Sequence, residues 1–263
     1  MGNLIKMDLR RLFLSKLFYI TMGVVALLNI IITGALPLIT KFLAPSQLPK
    51  TVTLSSLFVS PFQASMLLFL LFISIVGFAY ADIANGYIKN IAGQISRKGY
   101  LIISKYIVIG IHNFIFLGAG VISSIIGSYL GSVFAGYTIV ADDQILQGFI
   151  TFLIKWLLTM AISSILLFVT TGIRSKNLAS IIGVIFGTGV LGLVYMGLNA
   201  AITNIFKLTD TQFNIGDFVP DQLINSVNVV TGTSVINALI VGVVFSVLFI
   251  VITIKVFESR DVK

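Results

Sequence analysis

Six long apolar stretches divide this chain, and short polar segments separate them. An α-helix needs about 20 predominantly apolar residues to cross the hydrocarbon core of a bilayer, and each stretch reaches that length. The pattern therefore predicts an all-α integral membrane protein, built as a single transmembrane domain over residues 1–263 with six transmembrane helices. The predicted spans cover approximately residues 17–39, 61–81, 106–130, 148–172, 178–200 and 235–256.

The amino-acid composition excludes the ordinary soluble classes. Hydrophobic residues make up 57% of the chain, the mean hydropathy is +1.09, and only 10% of the residues are charged. Soluble domains, in contrast, carry about 25% charged residues. The chain has no cysteine, so disulfides and thiolate-based metal or redox sites are excluded.

The net charge of +8 is distributed unevenly between the two predicted sides of the membrane. With a cytoplasmic N-terminus, the inner segments hold 13 of the 17 basic residues and 4 of the 9 acidic ones. Such an excess of Lys and Arg marks the cytoplasmic side of membrane proteins and attracts anionic lipid. We therefore expect both termini in the cytoplasm, contact with membrane lipids, and no nucleic-acid partner.

The segment before the first span, residues 1–16, has the character of an interfacial helix. Its charged residues mostly lie off an apolar face, and an amphipathic helix of this kind lies along the membrane surface. A cleaved signal peptide is the competing interpretation, but the apolar stretch 17–39 is longer than the usual core of about 7–15 residues. The expected apolar face consists of Ile5, Leu9, Leu12 and Phe13.

A polar island, residues 82–105, separates the second and third predicted spans. Five of its residues are charged and four of those are basic, which predicts a cytoplasmic loop. Ile88, Ile91 and Ile95 would share one side of a short helix, with polar residues around the rest. Such a helix can rest on lipid or dock into a groove of another protein. An ordinary basic loop is the alternative.

Glycines at a spacing of four permit close contacts between transmembrane helices. The third span carries such a pair, Gly127 and Gly131, and the fifth carries Gly183 and Gly187. The fifth span is so rich in glycine that it either packs closely against its neighbours or bends, and close packing is the expectation.

Few groups in the chain could support catalysis. It contains no phosphate-binding loop of the form Gly-x-x-x-x-Gly-Lys-Ser/Thr, and a single histidine excludes a His-Glu-x-x-His zinc site. That histidine, His112, follows Ile111 and precedes Asn113 in the third span, and we expect it to pack or to line a pathway. Lys155 is expected to extend towards the outer surface. The sequence therefore predicts a protein that is not an enzyme and binds neither metal nor cofactor itself.

The order of these features resembles the permease subunits of type-2 ABC exporters. Those proteins share an N-terminal amphipathic helix, six spans and a basic inner loop after the second span, and the opening KMDLRRLF of residues 6–13 is similar to theirs. Asp82 stands where the family more often has Glu, and Gly93 lies inside the proposed loop helix. The loop residues that match the pattern of small Gram-positive permeases are Asp82, Gly86, Lys89, Asn90, Arg97 and Lys105.

The resemblance implies that two permease subunits, identical or related, sit on two separate ATPase subunits that bind ATP and Mg²⁺. Residues 82–105 would be the coupling loop, whose helix inserts into a groove on the ATPase, and residues 1–16 would be an elbow helix. The implied location is the plasma membrane of a Gram-positive bacterium. The residues expected to couple to the ATPase are Asp82, Gly86, Tyr87, Ile88, Lys89, Asn90, Ile91, Ile95 and Arg97.

An exporter of this kind would move an amphipathic substrate, such as an antimicrobial or signalling peptide, a drug or a lipid, with a role in antibiotic resistance or immunity. The alternatives are a self-contained carrier or channel, and a membrane-embedded enzyme that uses His112. A carrier driven by an ion gradient usually needs ionisable groups inside the membrane, and the chain has few. The side chains expected along the substrate pathway are Asn29, Thr33, His112, Asn113, Ser163, Thr170 and Asn199.

Overall fold

The computed structural model describes residues 1–44, 46, 49–63, 65–86, 97–206, 214–229 and 235–259. The helices are α1 (Gly2–Leu14), α2 (Lys16–Leu43), α3 (Leu54–Gln63), α4 (Ser65–Ala84), α5 (Gly99–Ala135), α6 (Ile145–Leu167), α7 (Lys176–Thr188), α8 (Leu191–Phe206), α9 (Pro220–Ser226) and α10 (Val235–Ser259). A π-helix, Phe168–Ile173, continues α6, and a 3-10 turn covers Ile215–Phe218. Two short strands, β1 (Thr51–Thr53) and β2 (Thr138–Val140), complete the described chain.

Five of the described helices are long and apolar enough to cross a membrane. They are α2, α4, α5, α6 with its π-helical continuation, and α10. The pair α7 and α8 is bent by 72° and makes a sixth crossing only if it is counted as one span. The predicted all-helical class is thus confirmed, and the chain has several helices suited to crossing a membrane. The largest difference in bounds is at α5, which runs from Gly99 to Ala135 and so extends past the predicted third span at both ends.

The fifth apolar stretch, predicted as one span over residues 178–200 that packs closely or bends, is divided into α7 and α8. Gly189 ends α7 in the left-handed region with a φ of 71°, a conformation that strains residues with a Cβ. The chain turns there and continues as α8. Close packing occurs in the same stretch, because a Cβ on Gly187 would meet the backbone of Phe69 in α4. The two roles considered for these glycines therefore occur together.

The contacts between the long helices show that α2 and α5 run in one direction and that α4, α6 and α10 run in the other, so the bundle has two ends. The α1 end holds α1, the end of α4, the start of α5 and the end of α10, and the sheet end holds the two strands, α3 and α9. At the sheet end, β1 pairs in parallel with β2. The Asp142 carboxylate accepts hydrogen bonds from Ser55 N at 3.2 Å and Ser55 Oγ at 2.5 Å, at the start of α3. These contacts fix the connections between the long helices.

Small residues bring α2 and α5 together. A Cβ on Gly127 would lie 2.9 Å from the Cα of Ile30, and one on Gly131 would lie 3.1 Å from the carbonyl oxygen of Thr33. Only glycine permits this approach, which confirms the close contact predicted for the pair. The helix α6 is the most buried of the long helices. The buried core of the bundle includes Phe62, Leu71, Phe72, Ile75, Leu158 and Ile162.

Candidate functional site

Four charged side chains meet at the α1 end of the bundle. Asp82, near the end of α4, forms ion pairs with Arg11 of α1 and Lys105 of α5. Arg11 also lies 3.8 Å from the carboxylate of Asp8 in its own helix. Asp8, Asp82 and Lys105 are each no more than 3% exposed, so their charges are shielded from water. We name these four residues the ion cluster.

Asp8 is buried because polar partners compensate for its carboxylate. Ser104 Oγ donates to Asp8 Oδ2 at 2.6 Å. Burial raises the pKa of the Asp8 carboxyl above its ordinary value of 3.8, and the Ser104 hydroxyl and the Arg11 guanidinium oppose that rise. The expected position of Asp8 off the apolar face of α1 is wrong. Asp8 shares the buried side with Leu12, one helical turn later.

The ion cluster is electrically balanced, with two carboxylates and two cations. Burial of a charge costs several kcal/mol per ion, so each member depends on its partners, and removal of one typically costs about 3–5 kcal/mol. Lys105 Nζ also lies 5.2 Å from the centre of the Phe78 ring, a cation–π contact. The cluster therefore fixes α1, α4 and α5 relative to one another.

The ion cluster joins the end of α4 to the start of α5, the two helices on either side of residues 87–96 of the polar island. Residues 87–96 lie outside the described residues, and we call the two flanking helix ends the base of the loop. Asp82 belongs to α4, the helix that leads into this segment, and Lys105 belongs to α5, the helix that follows it. The backbone N–H of Gly99, at the start of α5, donates to Glu258 Oε1 at 3.1 Å. The end of α10 therefore also reaches this base. Sequence reasoning missed Arg11 and Glu258 as partners because both are distant in the chain.

Three of the predicted coupling residues are described. Asp82 is committed to the ion cluster and faces the interior of the bundle. Gly86 follows α4 with a φ of 63°, a turn that favours glycine. Arg97 is exposed just before α5. The other predicted coupling residues, which lie outside the described residues, are Tyr87, Ile88, Lys89, Asn90, Ile91 and Ile95.

His112 is the centre of a buried polar contact between three helices. Its Nε2 lies 3.3 Å from Ser74 Oγ of α4, and Ser74 Oγ accepts a hydrogen bond from Thr21 Oγ1 of α2 at 3.3 Å. The rings of Phe18 and Phe116 pack against the imidazole, with centroids 5.1 and 6.2 Å away. His112 is fully buried. It joins α2, α4 and α5 inside the bundle.

Asn29 and Asn113, also predicted along a substrate pathway, form hydrogen bonds between neighbouring helices. Asn29 Nδ2 donates to the Gly120 carbonyl at 3.1 Å and joins α2 to α5. Asn113 Nδ2 donates to Ser163 Oγ, itself a predicted pathway residue, at 2.9 Å and joins α5 to α6. Both asparagines are fully or almost fully buried. Hydrogen bonds of this kind stabilise contacts between membrane helices.

The remaining predicted pathway residues are bonded locally. The hydroxyls of Thr33 and Thr170 donate to carbonyls one turn earlier in their own helices, each at 2.6 Å. Asn199 of α8 donates to Asn214 Oδ1 at 2.7 Å and accepts from Ile215 N at 2.9 Å. It therefore holds the 3-10 turn against α8. The structure spreads the predicted pathway residues through the bundle. Asn113 and Ser163 are joined by a side-chain hydrogen bond between helices, and Thr33 bonds to the Asn29 carbonyl within α2.

Lys155 does not extend to the outer surface as expected. It is 2% exposed, and its Nζ donates to the Ile224 carbonyl of α9 at 2.6 Å. The same Nζ lies 5.7 Å from the centre of the Phe62 ring. The carbonyls at the end of a helix carry partial negative charge, so α9 supplies the ammonium group with a partner inside the protein.

A groove between α5 and α6 is almost entirely apolar. Its volume is about 500 Å³, which lies within the range of about 300–1,000 Å³ that is typical of ligand sites. Trp156 Nε1 donates to the Gly110 carbonyl at 3.1 Å, so the indole N–H is satisfied. The groove can accept hydrocarbon without specific polar recognition. Its walls include Ile107, Ile111, Phe114, Trp156 and Met160.

Neither a metal site among the described residues nor a known relative adds to the ion cluster, the buried polar contacts and the apolar groove. Among the side chains that the structure describes, no group of three His, Asp or Glu residues is placed to hold a metal ion. A scan against protein-family models finds no match for this chain, and a search of curated proteins finds none either. The ion cluster, the buried polar contacts and the apolar groove are therefore the basis for a functional proposal.

Proposed function

We propose that this chain is the membrane-spanning permease subunit of an ATP-driven exporter of the type-2 ABC class. The observation that carries the proposal is the ion cluster, which links the N-terminal helix to both sides of residues 87–96. In such a permease, this segment receives motion from the ATPase and must pass it to the spans. A buried ion cluster suits that task, because separating its members would leave uncompensated charges.

The proposed topology has six crossings, with α7 and α8 together forming the fifth, and both termini in the cytoplasm. The exposed charges of α1 and the first turn of α2 support this orientation. Lys6, Arg10 and Lys16 are all exposed, and clustered basic residues mark the cytoplasmic side. The proposed location is the plasma membrane of a Gram-positive bacterium.

A second permease subunit, identical or related, would complete the transporter. In the most apolar 18-residue segment of each helix, only 11% of the α2 segment and 22% of the α10 segment is buried within the chain. The exposed faces of these helices are therefore free to contact a second subunit or lipid. The proposed substrate is amphipathic: a peptide, a drug or a lipid. The groove between α5 and α6 suits its apolar part. ATP and Mg²⁺ are assigned to the partner ATPase.

Site-specific crosslinking tests the proposal, because the natural chain has no cysteine. Arg97→Cys places one thiol at the base of the coupling loop, and Lys50→Cys places one at the sheet end as the matched control; both positions are exposed. Native membranes are treated with a photoactivatable maleimide, and the adducts are identified by mass spectrometry. We expect Arg97→Cys alone to capture an ATPase that carries a phosphate-binding loop.

A different result would favour the alternative function. If Arg97→Cys captures no ATPase, and liposomes that contain only this chain show solute flux without ATP, the chain is a self-contained carrier or channel. The same two variants also test the topology. A membrane-impermeant maleimide added outside intact cells should label Lys50→Cys and leave Arg97→Cys unlabelled.

A further inference from the structure

A cleft opens where α1 turns into α2, beside the end of α4. Its volume is about 350 Å³, within the range of about 300–1,000 Å³ for ligand sites. Most of the cleft lining is hydrocarbon and a smaller part carries polar groups, so that it matches the two ends of an amphiphile. The apolar part includes Leu14, Leu17, Phe78 and Ala81, and the polar part includes Ser15, Asn85 and Arg11 of the ion cluster.

The exposed charges on the helices that form the cleft are positive. Lys6, Arg10 and Lys16 are exposed in α1 and at the start of α2. The two acids on these helices, Asp8 and Asp82, are buried and paired within the ion cluster. The surface around the cleft is therefore basic, although acidic residues are present in the sequence. A basic surface of this kind attracts anionic headgroups.

We propose that the cleft binds one anionic phospholipid of the surrounding membrane. Its phosphate lies towards Ser15 and Asn85, whose hydroxyl and amide groups can donate hydrogen bonds to phosphate oxygens. One acyl chain lies along Leu17 and Ala81. Leu14, at the end of α1, is 72% exposed, which suits a helix at the boundary between headgroups and acyl chains. The inference does not depend on the exporter assignment.

The position of the cleft gives the lipid a structural role. The cleft contacts α1, α2 and α4, and α1 and α4 also contribute to the ion cluster. A bound lipid would therefore hold the junction of α1 and α2 against the end of α4. Anionic lipid should stabilise the folded chain more than a zwitterionic lipid with the same acyl chains.

Native mass spectrometry of the purified full chain tests the proposal. The chain, in neutral detergent, is incubated with equal amounts of a phosphatidylglycerol and a phosphatidylcholine of identical acyl chains. We expect one phosphatidylglycerol to be retained per chain in preference to phosphatidylcholine. Lys16→Gln should lower this retention about fivefold, from the contribution of one basic residue near an anionic surface. Lys50→Gln, exposed at the sheet end, is the charge-matched control and should leave retention unchanged.

Two further variants test the cleft itself. Ala81→Leu fills its apolar part and should abolish retention, whereas Ala200→Leu, exposed in α8, should not. If Ala81→Leu does not fold, Asn85→Ala at an exposed position replaces it and should lower retention severalfold. Equal retention of both lipids by the natural chain would overturn the proposal. Unchanged lipid retention in a cleft variant that still folds would also overturn it. This holds even if that variant loses a bound protein partner.

Discussion

Asp82 and Lys105 form a buried ion pair across the segment that joins α4 to α5, and Arg11 of α1 binds the other oxygen of the same carboxylate. One carboxylate thus receives cations from two helices. Any displacement of residues 87–96 that moves α4 relative to α5 must act on this pair. The N-terminal helix is coupled to the same movement through Arg11.

The first prediction concerns the shared carboxylate. Asp82→Asn should lower the free energy of unfolding by about 3–5 kcal/mol, because Lys105 would keep a buried charge without its counter-ion. Thermal or denaturant unfolding in detergent measures the effect. Asp143→Asn, at an exposed loop position, is the matched control and should stay within about 0.5 kcal/mol of the natural chain. If both variants unfold alike, the burial assigned to the pair is incorrect.

The second prediction separates two glycines of the same apolar stretch. Gly187→Ala should destabilise the protein by about 1–3 kcal/mol, because the new methyl group would meet the backbone of Phe69 and force α4 and α7 apart. Gly197→Ala should be neutral or stabilising by up to about 1 kcal/mol, since nothing lies within 4 Å of its Cβ position. Unfolding midpoints of the two variants provide the comparison. Equal midpoints would argue against the contact between α4 and α7.

The third prediction addresses Asn113 and Ser163, which were predicted along a substrate pathway and bond to each other. A double-mutant cycle with Asn113→Ala and Ser163→Ala should give a coupling energy of about 0.6 kcal/mol, and at most about 1.7 kcal/mol, as for other hydrogen bonds between membrane helices. If the chain is an exporter, as proposed, export measured in parallel should follow the fraction of folded protein. Loss of export at unchanged stability would show instead that the pair contacts the substrate.

The fourth prediction is a pH dependence at the sheet end. The hydrogen bonds from Ser55 hold the pKa of the Asp142 carboxyl below its ordinary value of 3.8. The folded state therefore favours the ionised carboxylate, and its stabilising contribution is complete above the unfolded pKa and is lost as pH falls through the lower, folded pKa. Hydrogen exchange at the Ser55 amide, corrected for the intrinsic rate, should lose protection in that acid range.

Asp142→Asn supplies the control for that experiment. The amide side chain does not ionise, so the protection of the Ser55 amide in this variant should be weak at neutral pH and should change little in acid. Protection in the natural chain that stays constant well below pH 3.8 would contradict the assigned contact. Ser55→Ala should remove the shorter of the two hydrogen bonds and move the transition towards higher pH.

Part of the fold follows from local properties of the chain. The lengths of the apolar stretches predict helices long and apolar enough to cross a membrane, and the spacing of Gly127 and Gly131 predicts a close helix contact; both features are present. The bend at Gly189 was not predicted as such, because the same glycines permit either a straight, closely packed helix or a turn. Neighbouring elements decide between these, and a single sequence does not show which helices are neighbours.

The candidate site also combines residues that the sequence identifies with residues that only the tertiary structure identifies. Its carboxylate, Asp82, is recognisable from the sequence as the acid at the start of a basic loop. Its partner Arg11 is not, because amphipathic spacing alone assigns charged residues of α1 to the water-facing side. Asp8 is misassigned for the same reason, and Lys155 because a charged side chain near the end of a span is expected to extend to water. A charged side chain can be buried when a partner compensates for the free-energy cost of removing it from water. Here most of the partners come from distant parts of the chain.

Hydropathy and charge therefore determine, without further information, that this chain is helical, suited to membranes, and basic at one end. Hydropathy and charge are each summed over residues that are close in the sequence, and they determine how a segment interacts with bilayer or water. Tertiary structure alone decides that Asp8, Arg11, Asp82 and Lys105 meet, that Lys155 turns inward to Ile224, and that His112 lies between Ser74 and aromatic rings. These outcomes depend on pairwise contacts between helices, which helix periodicity does not encode.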